Sequence, residues 1–241
     1  MCGRFSQSMP TMNLMKLFDI PDTPSFEISP SWNVAPGQDA LIVVESEHKT
    51  KIEIANWGLV PSWAKDVKTL NRPINARSET LSEKPFFRNL IKSKRCIVPA
   101  DGFYEWSKFP EAGEKSQELK VKQPTKSLKV PHYINRSNGD LLALAGLWDF
   151  WRDKNSNTEM TTFTIITTAA NNFMKSIHDR MPVILEPNLW QIWLKEGQLP
   201  FDALAEIFSP PPEAILSTYV VSTKVNSPAN NGEELIAPIV N

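Results

Sequence analysis

Cysteine is nearly absent from this chain: Cys2 and Cys96 are the two thiols in 241 residues. Two isolated cysteines cannot build a disulfide framework, so a reducing compartment is expected. Histidine is scarce too. His48, His132 and His178 are scattered, with no metal-ligand spacing among themselves or to either cysteine, and no metal site is expected. No glycine-rich loop lies between a strand and a helix, which disfavours a nucleotide cofactor, and there is no Gly-x-Ser-x-Gly elbow. No cofactor of any kind is implied. The N-terminus lacks the charged-then-apolar layout of a signal peptide, and no apolar run is long enough to span a bilayer. The expectation is a cytoplasmic protein with no membrane attachment. Net charge is −1, so no global field announces nucleic acid; any DNA contact must come from a local basic face.

What is present is an ordinary globular composition, with 41% hydrophobic and 22% charged residues and chain enough for a real core. Met9 to Phe18 has the apolar spacing of a helix, ended by Pro21 and Pro24. Ser31 to Gly37 reads as a loop before a strand from Ala40 to Glu45. The charged stretch Glu45 to Lys51 then reads as a hairpin turn returning through Ile52 to Trp57. Pro73 to Thr80 is extended and runs into a polar turn, and a helix is expected from about Pro85 to Ser93. Cys96 to Pro99 reads as a strand that Asp101 to Trp106 follows back as a second. Residues 110–129 carry many Lys, Glu, Gln and Ser and read as an exposed insertion. Further strands are expected at Val130–Asn135, Leu141–Phe150, Thr161–Thr168 and Tyr219–Ser222, with helices at Asn171–Ile177, Asn188–Lys195 and Phe201–Phe208. With no repeat and no linker, residues 1–241 form a single α+β domain around a mainly antiparallel sheet.

The chemistry gathers on few residues. If Met1 is removed, Cys2 presents an α-amine and a thiol on adjacent carbons. Such a pair condenses with an aldehyde to a Schiff base and then closes to a five-membered thiazolidine. With an amine pKa of roughly 8 and a thiol pKa of about 8.5, neither group is expected to need much tuning. Glu105 stands between Tyr104 and Trp106, where aromatic neighbours can desolvate a carboxylate; the plain alternative is a strand residue facing solvent. His178 follows a short helix and is either a C-cap or a proton-transfer group. Asn75 and Arg77 alternate along an extended piece and can share a face. There Arg77 either clamps a phosphate or makes a surface ion pair. The tryptophans are core by default, while Trp57, Trp63 and Trp106 are candidates to stack on unpaired bases.

Taken together, these segments resemble a known set. Met-Cys-Gly-Arg-Phe at residues 1–5, Trp32-Asn33-Val34-Ala35-Pro36, Trp57-Gly58-Leu59-Val60-Pro61-Ser62-Trp63, Asn75-Ala76-Arg77-Ser78-Glu79-Thr80, the run Arg95 to Trp106, Ala145-Gly146-Leu147-Trp148, the run Phe163 to Asn171, and Ile177-His178-Asp179-Arg180-Met181-Pro182 occur in order. The chain resembles the SOS response-associated peptidase (SRAP) family of abasic-site processing proteins over nearly its whole length. That resemblance implies a curved, barrel-like sheet flanked by short helices. It implies self-removal of Met1, binding of single-stranded DNA containing abasic sites, a covalent thiazolidine through Cys2, and lyase activity through the Schiff base. It implies Asn75, Glu105 and His178 as partners of Cys2. Arg4, Arg77, Trp106 and Lys224 are the candidate DNA contacts, in a monomer working with the replication machinery. Two other readings remain open: a cysteine peptidase acting in trans, and a non-covalent reader of single-stranded or modified DNA.

Overall fold

The structure, a computed structural model, describes residues 2–108, 129–153 and 156–239. The insertion expected at 110–129 lies outside the described residues, except for Lys129. In chain order the elements are β1 (Phe5–Gln7), α1 (Thr11–Leu17), β2 (Ser31–Val34), β3 (Asp39–Ser46), β4 (Lys49–Trp57), β5 (Asn75–Arg77), α2 (Leu90–Ser93), β6 (Arg95–Ala100), β7 (Gly102–Lys108), β8 (Lys129–Arg136), β9 (Leu142–Arg152), β10 (Glu159–Ala169), α3 (Asn172–Lys175), β11 (Arg180–Pro182), β12 (Ile184–Leu185), α4 (Pro187–Leu194), α5 (Phe201–Phe208) and β13 (Leu216–Val220).

Two sheets share the strands. One runs β13-β8-β7-β1-β2. In the other, β10 pairs β4, β4 pairs β3, β3 pairs β6, β6 pairs β9, and β9 returns to β10, so five strands close into a barrel. Pairing is antiparallel except where β10 runs parallel to β4 and to β5. The curved, mainly antiparallel α+β fold read from the sequence is the one observed.

Side-chain alternation gives the barrel strands two apolar faces. Leu41, Val43, Ile97, Ala145, Leu147 and Ile166 pack with Leu14, Met15, Leu90, Ile91, Trp193 and Ile207 of the helices. Ile42, Val44, Cys96, Val98, Leu144 and Ile165 pack instead with Cys2 and Phe5, and with Phe103 and Ile134 of the five-stranded sheet. That sheet's other face is a tyrosine layer, Tyr104 and Tyr133 flanked by Tyr219, closed by Val221, Val225 and Leu235 near the C-terminus. The N-terminus therefore enters between the two sheets.

Local chemistry accounts for several boundaries. The β3–β4 hairpin turns through Glu47 and His48 at φ 55° and 59°, with Ser46 opposite Lys49, a two-residue turn of the type whose twist matches the strands. Helix α1 ends before its prolines: Asp19 takes φ 52° and the Ile20 N–H reaches back to the Met15 carbonyl at 2.9 Å, a Schellman-type stop. The expected helix over Pro85–Ser93 shrinks to Leu90–Ser93, with turns ahead of it. Ser31–Val34, read as loop, is strand β2, because β1 offers it a partner that local sequence does not reveal. Likewise β6 and β7 belong to different sheets. The chain crosses between them at Asp101, whose N–H donates to the Ser6 carbonyl at 2.9 Å. Gly102 is required there, since a Cβ would stand 2.4 Å from the Tyr133 ring.

Candidate active site

The site is assembled from four places in the chain. β1 pairs β7 with Phe5 opposite Phe103, and the Tyr104 N–H donates to the Arg4 carbonyl at 2.9 Å. Carried on, that register brings Gly3 level with Glu105, just beyond the point where β1 stops pairing. Across from it, β5 runs beside β10 with Asn75 at Ile165 and Arg77 at Thr167. At the far end of β10, Asn171 caps α3 by accepting the Met174 N–H at 3.0 Å, and the Ala170 N–H closes the loop on the Asp179 carbonyl at 3.0 Å. This loop presents His178 immediately before β11.

Cys2 is fully buried. Its carbonyl accepts the Asn75 amide N–H at 2.9 Å, while the Asn75 Oδ1 is buried with no hydrogen-bond partner among the described residues. Burial pushes the Cys2 thiol far above its ordinary range, and the Glu105 charge adds to the rise, while the Arg4 backbone N–H opposes it. This corrects the expectation of a partly ionised thiol, which holds for a solvated cysteine and not for one enclosed beside a carboxylate. Glu105 is 3% exposed, and burial raises its carboxyl as well, opposed by the charge of His178. Its sequence neighbour Tyr104 points into the tyrosine layer on the sheet's other face, so the desolvation comes from the closed space between the sheets. The imidazole of His178 is about a quarter exposed, with Nδ1 at 2.8 Å from Asp179 Oδ1 and accepting the Arg180 N–H at 3.0 Å.

A cavity of about 570 Å³ opens here, lined by Gly3, Arg4, Pro36, Glu105, Trp106, Lys129, His178 and Asn226. Arg4, read as a DNA contact, has its guanidinium tied to Asn33 Oδ1 at 2.6 Å and to the Val225 and Asn226 carbonyls at 2.7 and 3.2 Å. Trp106 donates its indole N–H to Asn226 Oδ1 at 2.8 Å, which fixes the ring at the cavity edge. Arg77 is exposed at the end of β5, and Lys224 is exposed on the turn Thr223–Asn226. Trp63 is 58% exposed, whereas Trp57 is wholly buried between Phe5 and Phe163, which removes it from any base-stacking role.

Sequence reasoning passed over Asn33, Asn226 and Lys129. Asn33 is buried, and its amide donates to the carbonyls of Ser227 and Asn230 at 3.0 and 2.8 Å, anchoring the C-terminal turns against Arg4. An asparagine followed by Val-Ala-Pro carries no local sign of this, because its partners lie nearly 200 residues away. Lys129 was counted with the insertion, yet it starts β8 and faces the cavity.

Residues 1–228 match the family model described as SOS response associated peptidase (SRAP). The chain is 40% identical over 237 residues to the abasic site processing protein YoqW of Bacillus subtilis, covering 98% of this chain and 99% of that one. It is 34% identical over 236 residues to the abasic site processing protein HMCES of Xenopus tropicalis, covering 91% of this chain and 69% of that one. A crystal structure of a protein from Bacteroides thetaiotaomicron superposes with a TM-score of 0.83 at 27% identity, covering 99% of this chain and all of that one.

Proposed function

The chain belongs to the SOS response-associated peptidase (SRAP) family, and from that premise we propose that it is an abasic-site processing protein that captures the sugar aldehyde of single-stranded DNA on Cys2. The observation that carries this reading is the enclosure of Cys2 between the sheets, held by Asn75 and close to Glu105, with its neighbour Gly3 lining the cavity that Glu105 and His178 also line.

Removal of Met1, taken here as self-processing, frees the Cys2 amine. The amine, not the thiol, makes the first attack, because the buried thiol is held protonated. Attack on the aldehyde carbon gives a carbinolamine that loses water to an imine. The S–H then adds across the C=N bond, sulfur to carbon and proton to nitrogen, closing the thiazolidine with no change of oxidation state. Glu105, raised toward neutrality by burial, takes and returns protons at the amine and at the thiol during these steps. An abasic sugar is mostly a closed hemiacetal, and His178 serves its opening. Asn75, neutral, holds the Cys2 backbone and leaves Oδ1 for the freed amine. The same imine is the branch point to lyase cleavage. Arg77 and Lys224 contact phosphates, Arg4 does so with the donors its carbonyl partners leave over, and Trp106 stacks beside the lesion.

Intact mass spectrometry tests the proposal. The purified chain should begin at Cys2, and incubation with abasic single-stranded DNA should add the mass of the oligonucleotide less one water. Cys2→Ser keeps the amine but lacks a soft nucleophile, so it should give little heat-stable adduct and a product trappable with borohydride. A fully active protein that retains Met1, or a heat-stable adduct in the serine variant, would refute the assignment.

A further inference from the structure

His178 Nδ1 has two neighbours that ask for opposite things. The Arg180 N–H donates to it at 3.0 Å, which requires Nδ1 to be bare and puts the proton of a neutral ring on Nε2. Asp179 Oδ1, at 2.8 Å from the same atom, favours a proton there. Asp179 is largely exposed, so water competes for its carboxylate. The outcome depends on how firmly the Arg180 peptide is held.

It is held from the backbone, where Arg180 pairs with Ala169 and the Asp179 carbonyl accepts the Ala170 N–H at 3.0 Å, and again through its own side chain. The Arg180 guanidinium is mostly buried and donates to both carboxylate oxygens of Glu79, Nη2 reaching Oε2 at 2.9 Å, and again through Nη2 to the Thr167 carbonyl at 2.6 Å. Glu79 sits in the single turn Ser78–Thr80 that directly follows β5, so the strand that carries Asn75 also carries the anchor of the His178 loop. Hydrogen bonding to Arg180 lowers the Glu79 carboxyl, which keeps the clamp charged in neutral solution. An exposed ion pair is ordinarily worth little. Here its loss leaves a largely buried guanidinium without a counter-charge, held by the Thr167 carbonyl, and loosens one of the two holds on the Arg180 peptide.

We propose that Glu79 is a positioning residue for ring opening: by clamping Arg180 it keeps the Arg180 N–H on His178 Nδ1 and holds the imidazole in the Nε2–H tautomer. This rests on the reading of His178 as the group that serves ring opening. The proton then lies on Nε2, from which it is donated to a sugar oxygen.

The test compares Glu79→Ala, Glu79→Gln, His178→Ala and the Glu79→Ala/His178→Ala double variant in the full chain, with thermal melts as the folding control. Single-turnover cross-linking is measured on abasic single-stranded DNA and on a strand bearing an acyclic alkyl aldehyde. Glu79→Ala should be about tenfold slower on the abasic strand and within about twofold of wild type on the acyclic aldehyde. Glu79→Gln, which keeps an acceptor for Arg180, should fall between. The double variant should be no slower than His178→Ala. Long-range proton–nitrogen NMR should show the His178 ring moving from the Nε2–H pattern toward a mixture of tautomers in Glu79→Ala. An unchanged tautomer, equal losses on the two aldehydes, or additive losses in the double variant would overturn the role of Glu79. If instead His178→Ala lost nothing specific to the abasic strand, the reading of His178 beneath the proposal would fall, whatever Glu79→Ala did.

Discussion

Glu105 shows what a buried carboxyl costs the fold that holds it. Burial raises its folded pKa above that of the unfolded chain. Between the two values the native state binds more protons than the unfolded state, so this group's contribution to stability falls as pH rises through that window. Enclosure disfavours the charged carboxylate, so ionising it works against the fold. Glu105→Gln removes the charge and keeps the shape. The variant should therefore gain in Tm over wild type as pH is raised from about 4.5 to 7.5. Cross-linking should be slowed on ring-closed and acyclic aldehydes alike, since the task proposed for Glu105 lies at Cys2. Thermal melts across pH check the first outcome, and single-turnover rates check the second. A Tm difference that stays flat with pH would mean that Glu105 titrates normally in the folded protein.

Among the elements, the junction of α2, β6 and α4 depends on one side chain. Arg95, 2% exposed, points among helix ends and donates to the carbonyls of Trp193, Ile91 and Gly197 at 2.6, 2.8 and 2.8 Å. Ile91 and Trp193 lie in the last turns of α2 and α4, and Gly197 in the bend that follows α4, so the guanidinium acts as a shared C-cap. Burial pulls its pKa down to about 10, opposed by Glu45, yet leaves it charged at neutral pH. Arg95→Met fills the space and abandons the carbonyls. The expected cost is ~3 kcal/mol, and a chain of this size should lose about 6–12 °C in Tm. This cap lies among the helices, on the barrel face that does not carry Cys2. The cross-linking rate at 20 °C should therefore stay near wild type. A thermal melt paired with that rate separates the two, and a rate that fell with the Tm would show that the helical layer and the site are coupled.

For the molecule as a whole, a net charge of −1 means that DNA affinity rests on a few local contacts. Each neutralised phosphate on a single strand contributes roughly −0.7 to the slope of log affinity against log salt. Arg77→Ala should reduce the slope by about that much and weaken binding to intact and abasic strands alike. A salt titration by fluorescence anisotropy decides it: weakening confined to the abasic strand would make Arg77 a chemical residue. Much of the molecule follows from local sequence. The β3–β4 hairpin, the strand carrying Asn75 and Arg77, and the helical stretch at α5 are visible because their signals lie within a few residues of one another. So is the pair proposed at Cys2, since amine and thiol would share one residue. What sequence alone left open is whatever depends on partners distant in the chain. β2 is a strand because β1 lies beside it, and β6 and β7 separate because each pairs elsewhere. Arg4 turns inward because Asn33 and the turn at Val225 meet it. The thiol at Cys2, expected from sequence to need little tuning, is enclosed. A residue's type sets which protons it can hold; only the closing of two sheets around it sets how tightly, because desolvation is a property of everything packed nearby.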